Sequence, residues 1–188
     1  MNLKTLKFNI ACINQCTEAE GPGRRLAIWF QGCDKHCENC CNPELLELKA
    51  ANILSIDQII DIIKEAKIQF NIEGITFLGG EPVLQQGLAE LSQKIRDLGL
   101  GTILLTGKNI EELNEQIKDS VDLIIDGGYE KDKPDNERNL IGSSNQRIFF
   151  ITERYREDKD WFFIPRLKRL EINISDNSGL FITGDKLL

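Results

Sequence analysis

The residues Leu26-Ala27-Ile28-Trp29-Phe30 run without a break into Gln31-Gly32-Cys33-Asp34-Lys35-His36-Cys37-Glu38-Asn39-Cys40. The first five are all apolar, with one β-branched and two aromatic side chains, the composition of a strand buried on both faces. The rest changes character at once: a glycine, then three cysteines spaced Cys-x3-Cys-x2-Cys among charged and amide residues. A buried strand that empties into such a loop predicts a sheet whose strand ends carry chemistry.

Outward from this stretch, strands alternate with helices. Leu6–Ile13 reads as a strand ahead of it. Ser55 is placed to cap a helix carrying Ile56, Ile59, Ile60, Ile63 and Ala66 at helical spacing. Gly74–Leu78 is a short buried strand ending in Gly79-Gly80-Glu81-Pro82. A second helix carries Leu84, Leu88, Leu91, Ile95 and Leu98, with Gly99 as its stop. Thr102–Leu105, a helix near Ile110–Lys118, and the strands Val121–Ile125 and Arg147–Ile151 follow. Leu170–Ser175 and Leu180–Thr183 flank Asp176-Asn177-Ser178-Gly179 as a hairpin. This alternation predicts a parallel sheet covered by helices, and connections of one hand bring four segments to one rim. Those are the cysteine loop, Gly79–Pro82, Thr106-Gly107 and Asp126-Gly127-Gly128. Parallel α/β folds build their sites at that edge.

All six cysteines fall between positions 12 and 41. Such bunching is unlike a disulfide framework and predicts metal in a reducing, cytoplasmic setting. The spacing admits two readings. Cys33, Cys37 and Cys40 can occupy three corners of an iron–sulfur cube and leave one iron open, as chemistry requires. Alternatively, Cys12-x3-Cys16 and Cys33-x3-Cys37 supply four thiolates for zinc, leaving Cys40 and Cys41 unexplained. His36 is the only histidine, so a histidine-based cage or acid–base pair is excluded.

The remaining composition sets limits. At 188 residues and about half apolar when glycine is counted, the chain predicts one globular domain. Its net charge of −7 disfavours a general binder of nucleic acid or anionic membrane. Arg154, Arg156, Arg166, Lys168 and Arg169 cluster late, but Glu153, Glu157, Asp158 and Asp160 are interleaved, so a solvated mixed-charge surface is expected there. No apolar run approaches the ~18–20 residues of a membrane span. Met1–Lys7 carries lysines where a secretory signal would be apolar.

The cysteine loop after a strand, followed by a strand ending in Gly79-Gly80-Glu81-Pro82, resembles the radical S-adenosylmethionine superfamily. Within it, Gly21-Pro22-Gly23-Arg24-Arg25, Cys40-Cys41-Asn42, Asp126-Gly127 and Gly142-Ser143-Ser144-Asn145-Gln146-Arg147 are similar to activating enzymes of anaerobic ribonucleotide reductase. The resemblance implies that Cys33, Cys37 and Cys40 ligate a 4Fe–4S cluster whose fourth iron chelates S-adenosylmethionine. It implies that Gly79, Gly80 and Glu81 meet the methionyl amino group through backbone oxygens, with Pro82 stiffening the exit. Asn39 would lie beside the adenine and Asn42 near the sugar or methionyl end. Thr106 and Asp126 would be further contacts to polar groups of the cofactor. An outside reductant such as flavodoxin or ferredoxin would deliver the electron, giving a 5′-deoxyadenosyl radical, and a glycyl-radical enzyme would receive it. Apart from cluster and cofactor, no catalytic side chain is assigned.

The expected fold is α/β, an incomplete TIM-like barrel of parallel strands with covering helices and a C-terminal β-hairpin extension. A full barrel takes about 250 residues. The core is expected over about 20–152 and the extension over about 153–188. The sequence departs from the superfamily at Asn39, where an aromatic residue is common, and at Cys41, where Tyr or Phe is. Cys12, Cys16 and Cys41 are too few for a second cluster and read as packed or spare thiols. A radical enzyme acting on another protein, peptide or small molecule is the second functional expectation, and a non-catalytic zinc or iron–sulfur module the third.

Overall fold

The computed structural model describes residues 6–164, 170–174 and 180–184. Along the chain come β1 (Lys7–Thr17), β2 (Arg25–Phe30), β3 (Asn52–Ser55), α1 (Ile56–Phe70), β4 (Gly74–Gly79), α2 (Leu88–Asp97) and β5 (Gly101–Leu105). Then follow α3 (Glu115–Ser120), β6 (Leu123–Asp126), β7 (Arg147–Phe150), α4 (Lys159–Phe163), β8 (Leu170–Ile174) and β9 (Leu180–Gly184). Seven strands form one sheet in the order β3-β1-β2-β4-β5-β6-β7, and β8 pairs with β9 alone.

The apolar run at the start of the cysteine stretch is β2, buried at every position. It heads a set of four adjacent parallel strands, β2, β4, β5 and β6. The sheet as a whole is mixed, which corrects the expectation of parallel strands throughout. β1 runs antiparallel to both β2 and β3, and β7 antiparallel to β6. Residues 18–24 are too few for a crossover, so β1 can meet β2 only as a hairpin partner.

Helices α1, α2 and α3 cover one face. Ser55 caps α1 as predicted: its Oγ accepts from Gln58 N, and Gln58 Oε1 accepts from Ser55 N. The helix ends at Asn71, which is left-handed at φ 51. Ile59, Ile63 and Ala66 are fully buried with Leu26, Ile28 and Phe30 from β2 and with Leu91 and Ile95 from α2. The next side chains along β2 point the other way: Ala27 and Trp29 pack with Leu45 and Leu78 on the opposite face. Phe162, from the Trp161-Phe162-Phe163 run, is buried beside Ile103, Ile125 and Tyr155 on that second face.

Several boundaries differ from expectation. Leu84 sits in a single turn over Pro82–Leu84 rather than on α2, which begins only after Gly87 at φ 93. The helix predicted near Ile110–Lys118 is divided, because the Asn114 side chain accepts from Ile117 N and starts α3 afresh. The β8–β9 hairpin is present. Its expected turn at Asp176–Gly179, the basic residues Arg166, Lys168 and Arg169, and Met1–Thr5 lie outside the described residues. No helix among the described residues is long and apolar enough to cross a membrane.

Candidate functional site

The four parallel strands end together, with Phe30 opposite Gly79 and Leu105 opposite Ile125. This brings the four expected segments to one edge, and backbone bonds stitch them. Gly80 N donates to Phe30 O (2.8 Å), Glu81 N to Gly32 O (2.9 Å) and Gly127 N to Lys108 O (3.1 Å). Gly79 has φ +110, and a Cβ on Gly80 would lie 2.2 Å from Gly32 O. The close approach these glycines permit is to the backbone that leads into the cysteine loop.

Glu81 is fully buried at the centre of this edge. Its Oε1 accepts from Thr106 Oγ1 (2.7 Å) and Val83 N (3.2 Å), and its Oε2 accepts from Gly107 N (2.8 Å). Burial raises its pKa, and these hydrogen bonds act against the rise. Thr106 is thereby committed to Glu81 and also accepts from Lys108 N (3.1 Å). Asp126, also fully buried, accepts from Ile110 N (2.7 Å) and pairs with Arg147, which forks onward to Glu111. Both side chains join rim segments to one another.

The three loop cysteines are free thiols, Cys33 buried and Cys37 and Cys40 half-buried. Cys33 Sγ accepts from Lys35 N (3.3 Å), and Cys40 Sγ from Asn42 N (3.4 Å). Cys37 Sγ faces Gly128, 3.6 Å from where a Cβ would stand. Burial lifts the Cys33 pKa, the Lys35 N–H opposes this, and Glu81, Asp34 and Cys40 add to the rise. Cys40 N donates to Cys37 O (3.2 Å), closing a turn in which Asn39 is left-handed at φ 57. Asparagine tolerates that conformation, which gives a local reason for it at this position. Asn42 opens the single turn Pro43–Leu45. His36 is exposed.

Three thiols on one loop are the soft donor set an iron–sulfur cluster takes. No three His, Cys, Asp or Glu side chains among the described residues already converge on a metal, so the sulfurs must turn toward one another to hold one. The four-thiolate zinc pairing is not assembled. Cys12 packs beside Ala27 and Trp29, whereas Cys16 packs into the core on the helix-covered face. Burial, with a smaller push from Glu44, drives the Cys12 pKa up to about 12, the mark of an inert packed thiol.

The run Gly142–Arg147 brackets the last rim segment. Asn145 Nδ2 donates to Gly128 O (2.8 Å) and Gln146 Nε2 to Gly127 O (2.9 Å), while Gln146 Oε1 accepts from Gly142 N and Ser143 N. Asn145 Oδ1 is buried with no donor facing it. An open acceptor beside Gly128 and Cys37 fits a ligand rich in amino and hydroxyl groups, as S-adenosylmethionine is. Reading the residues alone did not single out Asn145, Gln146 or Lys108 as parts of the rim. Only the resemblance carried by Gly142–Arg147 marked the first two.

The model of the 4Fe-4S single cluster domain matches residues 19–149. The anaerobic ribonucleoside-triphosphate reductase-activating protein of Enterobacteria phage T4 is 29% identical over 152 residues, covering 78% of this chain and 96% of that protein. The pyruvate formate-lyase-activating enzyme of Clostridium pasteurianum is 28% identical over 109 residues, covering 56% of this chain and 46% of that enzyme. The crystal structure of QueE from Escherichia coli overlays with a TM-score of 0.46 and 18% identity, over 54% of this chain and 52% of that one; an overlay this loose fixes no feature. The family match spans the rim from the strand before the cysteine loop to the one after Gly142–Arg147, and on that span this chain belongs to the 4Fe-4S single cluster domain family.

Proposed function

We propose that this chain cleaves S-adenosylmethionine reductively at a 4Fe–4S cluster and so places a glycyl radical on a partner protein of the anaerobic ribonucleotide reductase kind. The observation that carries this reading is the loop of three free thiols stitched by backbone bonds to the Gly79–Pro82 turn. The relatives, activators of anaerobic ribonucleoside-triphosphate reductase and of pyruvate formate-lyase, support the target. What the cluster supplies when bound is a single electron for cleavage of the sulfonium.

On this reading Cys33, Cys37 and Cys40 would hold the cluster and would leave one iron for the amino and carboxylate groups of the cofactor. The backbone oxygens of Gly79, Gly80 and Glu81 meet the amino group, and Pro82 turns the chain away. Asn39 lies beside the adenine and Asn42 near the sugar or methionyl end. Thr106 and Asp126 serve by fixing the rim through Glu81 and Arg147. We take the chain as one radical S-adenosylmethionine domain over 1–188, with its core at about 20–152 and an extension at about 153–188. The four parallel strands are read as part of an unclosed barrel, whose open side suits entry of a loop from a large protein. A cytoplasmic setting and a flavodoxin- or ferredoxin-type donor complete the proposal, with no nucleic acid or membrane as partner.

The test is anaerobic reconstitution with iron and sulfide, then reduction with S-adenosylmethionine present. Release of 5′-deoxyadenosine and methionine, and a doublet radical signal on an added candidate reductase, are expected. Cleavage without any radical on the reductase would move the target to another protein, peptide or small molecule. Absence of 5′-deoxyadenosine from a protein with an intact cluster would overturn the activity itself.

A further inference from the structure

Between Cys33 and Leu45 the cysteine loop buries no residue, so apolar packing does not hold it in place. Its backbone is tied at the entrance, where Gly32 N donates to Leu45 O and Cys33 N to Leu46 O. Ion pairs reach across to it at three points. Asp34 meets Lys108 (3.0 Å) and Lys35 meets Glu112 (3.6 Å), both partners lying in the loop after β5. Glu38 meets Lys131, in the loop after β6. Two of these pairs fall in the gap between Cys33 and Cys37, and the third in the gap between Cys37 and Cys40. The charges alternate along the loop as minus, plus, minus, and their partners as plus, minus, plus. Exchanging the first two partners would set Asp34 against Glu112 and Lys35 against Lys108.

We infer that these three ion pairs form a clasp that positions the cysteine loop in register over the β5 and β6 rim loops before any metal arrives. Asp34, Lys35, Glu38, Lys108, Glu112 and Lys131 are positioning residues, none of them a ligand. The inference rests on the reading of Cys33, Cys37 and Cys40 as the cluster ligands, since those are the thiols the clasp would hold in place. Exposed pairs act weakly one at a time, each shifting an open–closed balance by about twofold to fivefold, and they count here as a set. Screening follows, because the Debye length falls from about 10 Å at 0.1 M salt to about 3 Å at 1 M.

Hydrogen exchange of the full-length, metal-free chain, followed by mass spectrometry, tests this. In Lys108→Glu, exchange in the peptide spanning 33–42 should rise by about fivefold or more while the peptide spanning α1 keeps its protection. The double exchange Asp34→Lys with Lys108→Glu should restore loop exchange to within about twofold of the parent. In the unaltered chain the same peptide alone should exchange faster as salt rises from about 0.05 to about 1 M. Unchanged loop exchange in Lys108→Glu, failure of the double exchange to restore it in a folded chain, or indifference to salt would each overturn the clasp. If the variant fails to fold, the salt series decides. If instead the clasp behaves as stated while Cys33→Ser, Cys37→Ser and Cys40→Ser keep their iron, the ligand reading is what fails.

Discussion

The two ends of the same four parallel strands are built on opposite rules. At the end where the strands begin, Arg25 is fully buried and all of its N–H groups are taken. Nε donates to Thr76 Oγ1 (2.7 Å), Nη1 to Tyr155 OH (2.8 Å) and Pro22 O (3.3 Å), and Nη2 to Ile75 O (2.6 Å) and Gly101 O (3.5 Å). Thr76 Oγ1 passes its own hydrogen to Glu20 O (2.6 Å). A cavity of about 240 Å³ borders this network, lined by Glu73, Arg154 and Tyr155 among others, yet Arg25 has no donor left for a ligand. At the far end the three thiols form no disulfide, Asn145 Oδ1 has no donor, and exposed ion pairs cross to the loop. At the first end the Arg25 network completes its donors internally; the second keeps its thiols and an amide oxygen open at the edge where parallel α/β folds build their sites.

Changes at the closed end should therefore cost stability and spare metal binding. Arg25→Met strands the oxygens of Thr76, Tyr155 and Ile75 in the interior, and should lower unfolding free energy by about 3–5 kcal/mol in a denaturant titration. Gly101→Ala would put a Cβ 2.2 Å from Tyr155 OH and 2.4 Å from Arg154 Nε, for a loss of about 2 kcal/mol. Tyr155→Phe leaves one Arg25 N–H short of an acceptor and should cost about 1 kcal/mol. In each, the fraction that remains folded should still take up iron as the parent does. At the open end the pattern reverses. Cys37→Ser should change metal-free stability by less than about 0.5 kcal/mol. Equal stability losses at both ends would erase the contrast. A finer test is alkylation of the metal-free chain at a pH near 8: exposed Cys41 should react, and Cys12, with its pKa near 12, should not.

Local pattern made the open end readable. Leu26–Phe30 is an unbroken apolar run within β2, β4 is apolar but for Thr76, Ser55 and Gln58 form a capping box, and Gly79 and Gly80 stand where φ is positive or a backbone crowds in. The closed end was hidden because its partners are far apart in sequence. Thr76 lies 51 positions from Arg25 and Tyr155 lies 130, and nothing in Arg24-Arg25 says which arginine turns inward. β3 was missed because it is a four-residue edge strand without a buried position. The division near Asn114 is a choice between two capping sites that spacing alone does not decide. The carboxylate of Glu81 is the rim's central acceptor in addition to the backbone oxygen expected of this residue, a role that depends on Thr106 and Gly107 at a later strand end and so is not legible locally.

The central claim is that the open end holds a cluster on Cys33, Cys37 and Cys40. Its most direct test is the count of iron and acid-labile sulfide per chain after anaerobic reconstitution, in the parent and in single Cys→Ser variants. About four of each are expected in the parent and in Cys12→Ser and Cys16→Ser, and no stable cluster in Cys33→Ser, Cys37→Ser or Cys40→Ser. Loss of metal from Cys12→Ser or Cys16→Ser, with Cys40→Ser retaining it, would contradict the account.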